Sequence, residues 1–259
     1  MSFVIGCHKN FFTEYLIKKL LLSYNCKKIL PWTNFAKNEI INRFKNDDIN
    51  NKIEVVYPAD PLIEYKKREH ELTITFVARY FWQKGGLIAL DVFDQLKKKY
   101  KINTYFISDV PDELKVKYKN INFYDFVPQN ELFDYFYPTT DIFIYPSFVD
   151  TFGFSLLEAM SFGLPIVTVD NPTRREVIED GKNGFIISHD GDVNYYNLGD
   201  KEKMIVKELV RVCSILIENK NLRDDMFRYS REIIRNGKFS LKQRNLKLMR
   251  IYKEALEND

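Results

Sequence analysis

Short apolar segments alternate with amphipathic ones through the middle of the chain, and this alternation constrains the fold more than any other feature. Between Leu72 and Ile187 lie six segments of about five residues with the composition of buried β-strands. They are LTITFVA, TYFIS, INFYDF, DIFIYP, PIVTV and GFII. Helical segments lie between them, among them QNELFDYFY after INFYDF and TRREVIE after PIVTV. Strands separated by helices pair in parallel. The sequence therefore predicts an α/β fold, a doubly wound parallel sheet of the Rossmann-like kind with helices on both faces.

The alternation is complete from about residue 61, and this sets the predicted domain organisation. The first 60 residues contain only two strand-like segments, KKILPW and KIEVVYP, and one helical segment between them, TNFAKNEIINRF. This is too little for a second complete domain of the same class. We predict a short Rossmann-like remnant at 1–60, a complete Rossmann-like domain at 61–238 and a C-terminal helix at 239–259.

Composition and charge exclude several classes of protein. Apolar residues make up 45% of the chain, which suits a packed core and argues against disorder. The formal net charge of +3 is too small to indicate binding to nucleic acid. The segment FFTEYLIKKLLLSY predicts an amphipathic helix that packs on its own protein, and the basic patch 228–247 predicts a solvated helix face. Peripheral contact with a membrane is the alternative for both segments.

Cysteines, histidines and one acidic pair are the candidate metal ligands. The three cysteines, Cys7, Cys26 and Cys213, are scattered, which predicts a reducing, cytoplasmic location and neither a disulfide framework nor a zinc site. The neighbours Cys7 and His8 do not form a metal site by adjacency alone. The acidic pair in DGD at 190–192 lies in a polar segment and predicts a plain turn.

A first candidate ligand site follows the strand LTITFVA. Arg79 comes directly after the strand, and Lys84, Gly85 and Gly86 open the next helix. Ligands of open α/β sheets bind beyond the C-terminal ends of the strands, and cations beside helix N-terminal amides favour a diphosphate. The alternative is a surface Arg and Lys that flank an ordinary turn.

A second candidate site lies in SFVDTFGFSLLEAM. Gly153 permits close approach of the backbone to a ligand, and the helix amides after it point toward that ligand. Asp150 lies in the loop and Glu158 lies in the helix, where carboxylate oxygens can accept hydrogen bonds from sugar hydroxyls. The alternative is a capping Asp and a Glu on a solvated helix face. Neither GxGxxG nor GxxxxGK[ST] occurs in the sequence, which weakens dinucleotide dehydrogenases and P-loop enzymes as interpretations.

Four motifs together resemble one family. VARYFWQKGG, FYDFVPQNELFDYFYPTTDIFIYPS, DTFGFSLLEAMSFGLPIV and EVIEDGKNGFII occur in the order and spacing of GT-B-fold glycosyltransferases. They resemble the retaining enzymes called glycosyl transferases group 1, of the family 4 type. The resemblance covers roughly 28–256 and is strongest over 72–187. It implies a hexosyltransferase-like enzyme that moves a sugar from a nucleotide diphospho-sugar to a glycan, lipid or other acceptor, with retention of configuration.

The resemblance also implies a role for each site residue. Arg79 and Lys84, with Gly85 at the helix start, would neutralise the diphosphate, and no metal or other cofactor would be required. Asp150 would contact the transferred sugar and Glu158 the ribose diol. With Arg79 and Lys84 they make up the predicted catalytic set. The remaining predicted binding residues are Val127, beside the base, and Thr151, Phe152, Gly153 and Phe154, at the sugar and phosphate.

The sequence departs from the family pattern in three places. Asp150 stands where the family has Glu, which shortens the side chain by one methylene. Ala78 stands where a Gly usually precedes the Arg. By the same resemblance, most of the N-terminal acceptor domain would be missing: 1–60 would be its last part, the final helix would pack back across it, and a partner chain could supply the rest.

Three functions are compatible with these features. The first is the glycosyltransferase donor domain, acting in glycan biosynthesis. The second is a non-catalytic nucleotide-sugar-binding or scaffolding subunit of a split glycosyltransferase. The third, a nucleotide-sugar epimerase, is disfavoured by the short N-terminal part, because such enzymes close two full domains over the substrate.

Overall fold

A computed structural model describes residues 10–66, 69–189 and 198–257. The strands in these ranges are β1 (Thr73–Val77), β2 (Asn103–Ile107), β3 (Phe123–Tyr124), β4 (Ile142–Tyr145), β5 (Ile166–Val169) and β6 (Gly184–Ile187). The helices are α1 (Phe11–Leu22), α2 (Asn34–Phe44), α3 (Asp47–Asn50), α4 (Gly86–Lys99), α5 (Asp112–Lys117), α6 (Gln129–Glu131), α7 (Phe154–Ser161), α8 (Arg174–Val177), α9 (Lys201–Glu218), α10 (Lys220–Arg235) and α11 (Leu241–Glu257).

The six strands form one parallel sheet in the order β3-β2-β1-β4-β5-β6. This confirms the predicted Rossmann-like α/β fold with flanking helices. The chain reverses the direction in which it adds strands between β1 and β4. In a doubly wound sheet, this switch point opens a crevice at the C-terminal ends of the two strands. The loops after β1 and β4 therefore define where a ligand is expected.

The main core forms because the strands are apolar on both faces and the helices cover them. Every residue of β4 and β5 is buried, and α4 buries one apolar side while its last turn carries three lysines. Phe76, Phe93 and Phe106 pack ring against ring between β1, α4 and β2. The helices pack in neighbouring pairs, α4 with α9 and α7 with α10.

The N-terminal part has a small core of its own, formed by Phe44, Ile49 and Ile53. The segments KKILPW and KIEVVYP are extended, but they join through a single parallel bridge, Ile29 to Ile53, and one further backbone hydrogen bond, from Val56 to Pro31. No residue of α1, all of which is described, is buried. Helix α1 only rests on this small core through its partly buried side chains, so most of its apolar surface remains exposed.

One predicted helix is divided in the structure. QNELFDYFY is predicted as a single helix, but α6 continues as a π-helical turn at Leu132–Phe136 and a 3₁₀ turn at Tyr137–Thr139. Pro138 has no N–H to continue the helical hydrogen bonds. The hydroxyls of Thr139 and Thr140 donate instead to the carbonyls of Tyr135 and Phe136, each at 2.7 Å. This packing places Tyr137 fully inside the core.

The C-terminal helix α11 returns to the N-terminal part. Arg250 pairs with Glu54, and Lys28 Nζ lies 3.6 Å from a carboxylate oxygen of Glu254. A bridge from Asp60 to Ser240 joins the two segments just before α11 begins. The domain boundaries at 60 and 238 stay predictions. Within the described ranges, no helix combines the length and the apolarity needed to cross a bilayer.

Candidate active site

The loops after β1 and β4 touch at the switch point, and Gly85 makes this contact possible. Gly85 precedes α4 with a φ of 75°. A Cβ on this residue would lie 2.1 Å from the carbonyl oxygen of Pro146, in the loop after β4. Any side chain here would therefore separate the two loops. Ala78, earlier in the same loop, needs no such freedom, because among the described non-glycine residues only Lys45 has a positive φ.

Lys84 joins the two predicted ligand sites. Its Nζ donates to the carbonyl oxygen of Val149 at 3.0 Å and lies 3.4 Å from Asp150 Oδ1. Both side chains are mostly buried, so water screens this ion pair less than a surface pair. The structure thus places a cation and a carboxylate side by side at the mouth of the switch point, as expected for residues at the ends of neighbouring strands.

Asp150 is held by a tyrosine as well as by Lys84. The Tyr145 hydroxyl, at the end of β4, donates to Asp150 Oδ2 at 2.9 Å. Burial, reinforced by the charge of Asp150, raises the pKa of Tyr145, so that this hydroxyl keeps its proton. The Asp150 side chain is only 8% exposed. Tyr145 and Lys84 therefore fix the orientation of the Asp150 carboxylate, one at each oxygen. A fixed orientation suits a group that binds a ligand in one geometry.

Arg174 is the site residue that sequence analysis missed. It opens α8, is fully buried, and lies with Nη2 4.0 Å from Asp150 Oδ2 and 3.2 Å from the Ser147 carbonyl oxygen. Its Nε and Nη1 make no hydrogen bond within the part of the chain that the structure describes. A cation following β5 was the available signal, because TRREVIE is predicted as a helix at a strand end. A buried guanidinium with unused donors is costly, which indicates a purpose beyond packing.

The N-terminus of α7 completes the crevice. Gly153 precedes the helix with a φ of 93°, and no side chain in the described ranges caps its first turn. A Cβ on Gly153 would lie 3.2 Å from both Arg174 Nη1 and Asp150 Oδ2. Glycine therefore lets the helix start, the carboxylate and the buried cation approach each other. Thr151 and Phe154 are exposed beside it, whereas the Phe152 side chain belongs to the core.

Glu158 is not on a solvated face. Its Oε2 accepts a hydrogen bond from Tyr137 at 3.0 Å, and its Oε1 accepts one from Gln129 Nε2 at 3.3 Å. Gln129 comes two residues after Val127, so the segment predicted to lie beside a base is adjacent to the carboxylate predicted to bind a ribose. Burial, supported by the nearby charge of Asp60 and opposed by the Tyr137 hydrogen bond, raises the pKa of Glu158.

This raised pKa has a testable consequence for stability. A carboxyl whose pKa is higher in the folded than in the unfolded state destabilises the fold once it must ionise. The cost is absent below the unfolded-state pKa and is complete above the folded-state pKa. We expect Glu158→Gln to raise the melting temperature at pH 7 and this gain to shrink as the pH falls toward 4.

Thermal unfolding across this pH range measures the effect, with Glu131→Gln as the control because Glu131 is exposed on α6. A Glu158→Gln variant that melts below the wild type at pH 7 would contradict the account.

Arg79 is exposed, and its guanidinium carbon is 5.6 Å from the ring centroid of Tyr80. The contacts given above join Lys84, Gly85, Asp150 and Gly153, and they do not include Arg79. Its predicted role at a diphosphate stays a prediction.

A third carboxylate, that of Glu176 on α8, anchors the N-terminal part beside the site. Its two oxygens accept from the backbone N–H groups of Asn34 and Phe35 at 2.7 and 2.8 Å. The Tyr57 hydroxyl donates to the same carboxylate at 2.8 Å. Glu176 thus satisfies donors at the start of α2 that the helix itself cannot pair. Arg174 lies on the same short helix as Glu176, and its Nη2 is 4.0 Å from Asp150 Oδ2. Helix α8 therefore links the N-terminal part to Asp150 through Arg174.

We expect Glu176→Ala to lower the free energy of unfolding by about 2 kcal/mol, because hydrogen bonds to a charged acceptor are lost and partly buried donors remain unpaired. Urea unfolding measures the change. Glu131→Ala removes an exposed glutamate of α6 and should change the free energy by less than about 0.5 kcal/mol. Equal effects for the two variants would show that Glu176 does not anchor α2.

Metal ligands do not gather anywhere in 10–66, 69–189 and 198–257, where no three His, Cys, Asp or Glu side chains come close enough to share an ion. Cys7, His8 and the acidic pair at 190–192 lie outside the described residues. The expectation that no metal is needed stays untested.

Comparison with known proteins identifies the family. The sequence profile described as Glycosyl transferases group 1 matches residues 63–197. An uncharacterized glycosyltransferase of Haemophilus influenzae is 28% identical over 212 residues, which cover 79% of this chain and 55% of that protein. The chain spans about half the length of the curated relatives it matches.

Solved structures share the fold. A glycosyltransferase from Rickettsia africae superposes with a TM-score of 0.76 at 19% identity, over 98% of this chain and 69% of that one. HepE of Anabaena in complex with UDP-glucose superposes with a TM-score of 0.72 at 15% identity, over 98% of this chain and 70% of that one. The profile match includes β1 to β6 and every residue of the candidate site. The chain therefore belongs to the glycosyl transferases group 1 family.

Proposed function

We propose that this chain binds a nucleotide diphospho-sugar and serves as the donor side of a retaining glycosyltransferase. The observation that carries the proposal is the ion pair of Lys84 and Asp150, 3.4 Å apart, between two helix N-termini at the switch point. A diphosphate requires cations and free amides, and a sugar requires acceptors for its hydroxyls. This crevice offers a cation for the diphosphate and a carboxylate for the sugar hydroxyls, 3.4 Å apart.

The leaving diphosphate is the group that needs stabilisation. As the bond from the anomeric carbon to the phosphate oxygen breaks, negative charge accumulates on the diphosphate. Lys84 and the amides that begin α4 and α7 stabilise this charge, and Arg79 can swing in from solvent to join them. This set of groups makes a metal unnecessary in the proposed reaction.

The sugar and the nucleoside are bound on opposite sides of that diphosphate. Asp150 and the backbone at Thr151 and Gly153 contact the transferred sugar, and Glu158 accepts hydrogen bonds from the ribose while Val127 flanks the base. For retention, the acceptor oxygen attacks the anomeric carbon from the face that the diphosphate leaves. The acceptor proton then passes to an oxygen of the departing diphosphate, so that charge and atoms balance.

The complex of Anabaena HepE with UDP-glucose supports a UDP-sugar as the first donor to test. The acceptor is proposed as a glycan or a lipid, the location as the cytoplasm or the cytoplasmic face of a membrane, and a partner chain as a source of further acceptor-binding residues. The exposed apolar side chains of α1 are compatible with either a membrane or a partner.

A second candidate function has one observation in its favour. Asp150 is already engaged by Lys84 and Tyr145, with Arg174 close behind it, and its side chain is shorter than the family's glutamate. A carboxylate held this way could bind a sugar nucleotide without promoting transfer, as in a regulatory or scaffolding subunit. Release of nucleotide from the donor in the presence of acceptor separates the two functions.

Calorimetric titration tests donor binding. The chain is titrated with UDP, GDP and ADP and with UDP-glucose, GDP-mannose and ADP-glucose. We expect one nucleotide series to bind, and Lys84→Met to weaken it by about 10- to 100-fold because charge-assisted contacts are lost. Lys101→Met, which removes an exposed lysine after α4, is the control. A folded chain that gives no heat with any of the six would overturn the proposal.

A further inference from the structure

Trp32 lies beside the candidate site although it comes from the N-terminal part. Its ring meets that of Phe154 edge-on, with centroids 5.3 Å apart and planes at 85°. Phe154 is the first residue of α7, whose amides point into the crevice. The two side chains are 49% and 50% exposed. Two large aromatic rings thus stand half in water at the helix start that is proposed to bind the sugar.

The backbone on both sides of Trp32 is fixed. Before it, the Pro31 carbonyl accepts a hydrogen bond from Val56 N–H at 2.9 Å. After it, Thr33 caps α2 and the Asn34 N–H donates to Glu176. Trp32 is therefore not a loosely attached surface residue, because its position relative to Phe154 is set by contacts that cross between the two parts of the chain.

Exposed aromatic rings that are held rigidly are typical of binding surfaces, because little conformational entropy is lost when a ligand covers them. A pyranose ring carries a face of C–H groups, and the negative face of an aromatic ring attracts those groups while both surfaces leave water. Neither ring face offers a charged group, so a phosphate or a carboxylate would gain less there than beside Lys84. The chemistry of the pair fits a sugar ring and does not fit the nucleotide's phosphates.

We propose that Trp32 and Phe154 form a platform for a pyranose ring, with Trp32 as a substrate-contacting residue contributed by the N-terminal part. This inference rests on the proposed function and extends it to the sugar. The ring bound there belongs either to the donor or to the acceptor, since the shared chemistry is that of a pyranoside. A merely structural role would instead be hydrophobic contact between the two parts of the chain.

The chain contains two tryptophans, Trp32 and Trp82, so each can be followed alone. Trp82 lies between Arg79 and Lys84, is half exposed, and packs on Phe81. The variant Trp82→Phe leaves fluorescence from Trp32 at the proposed sugar platform. The variant Trp32→Phe leaves fluorescence from Trp82 beside the proposed diphosphate site.

Both variants are titrated with UDP, UDP-glucose, GDP and GDP-mannose, and with methyl α-glucoside in the presence of UDP or GDP. We expect Trp82 to respond to a nucleotide diphosphate and Trp32 to respond only when a sugar is present. A Trp32 response to the sugar nucleotide assigns the platform to the donor sugar. A response to methyl α-glucoside alone assigns it to an acceptor sugar. Either result supports the inference.

Affinity provides the second measurement. We expect Trp32→Leu to weaken binding of the sugar-bearing probe about tenfold and to leave the affinity for the nucleotide diphosphate unchanged. Tyr252→Leu, which removes an exposed aromatic from α11, is the matched control. Sugar-nucleotide binding with unchanged Trp32 emission and unchanged affinity in Trp32→Leu would overturn the platform while leaving the proposed function intact. Absence of any response from either tryptophan, together with absence of heat in calorimetry, would overturn both.

Discussion

Asp150→Asn is expected to remove the affinity that the sugar adds to the nucleotide. The asparagine has the same shape, but it cannot offer a charged acceptor to sugar hydroxyls. We expect binding of the sugar nucleotide to weaken by about 10- to 100-fold. Binding of the nucleotide diphosphate alone should stay the same or become tighter, because Lys84 loses the carboxylate that now lies 3.4 Å from its Nζ.

Paired calorimetric titrations with a nucleotide diphosphate and its sugar conjugate measure this split. Asp94→Asn is the control, since Asp94 pairs with Lys98 on the outer side of α4. Asp150→Glu tests whether one added methylene strengthens the contact with the sugar. Equal loss of both affinities in Asp150→Asn would contradict the assignment of this carboxylate to the sugar.

Arg174→Met is expected to destabilise the fold, because it leaves Asp150 in a buried setting without the guanidinium behind it. Removal of one partner from a buried ion pair typically costs about 3–5 kcal/mol. Lys84 and Tyr145 still contact Asp150, and two nitrogens of Arg174 have no partner within the described residues, so we expect a loss of about 2–3 kcal/mol.

The neighbouring arginine provides the control. Arg175 is exposed and pairs with Asp170 at the surface, so Arg175→Met should change the free energy of unfolding by less than about 1 kcal/mol. Adding Asp150→Asn to Arg174→Met should recover part of the lost stability, because the uncompensated charge is then gone. Urea unfolding of the wild type, Arg174→Met, Asp150→Asn and the double variant gives the coupling free energy between the two residues. Additive effects of the two substitutions would show that Arg174 and Asp150 do not interact.

The strands were predictable because most of their residues are buried and apolar, as in β4 and β5, where every residue is buried. β1, β4, β5 and β6 all lie within the predicted segments, and β2 begins one residue before the segment TYFIS, at Asn103. INFYDF shrinks to the two residues of β3, which lies at the sheet edge and has a strand on only one side. QNELFDYFY failed as one helix for a different reason, since a proline and two threonine hydroxyls replaced regular helical hydrogen bonds.

Within the site, the rule that ligands bind at strand ends selected Lys84 and Asp150 as candidates, and the structure places the two side chains in contact. The same rule points to the two arginines that follow β5 but not to Arg174 in particular, because nothing in the letters TRREVIE shows which arginine is buried. The anchor from Glu176 to Asn34 joins residues separated by 142 positions. Such contacts depend on how helices and strands that are distant in sequence pack together, and the pattern of residues along the sequence does not show this packing.

Where the diphosphate binds can be seen in a crystal structure of the chain with the nucleotide diphosphate that titration identifies. We expect the diphosphate between the N-termini of α4 and α7, with a phosphate oxygen about 3 Å from Lys84 Nζ. A different groove of about 610 Å³ lies between 55–57 and α11 and carries cations such as Lys238 and Arg244. A nucleotide bound in that groove, with only water at the switch point, would show that the donor site is not at the ends of β1 and β4.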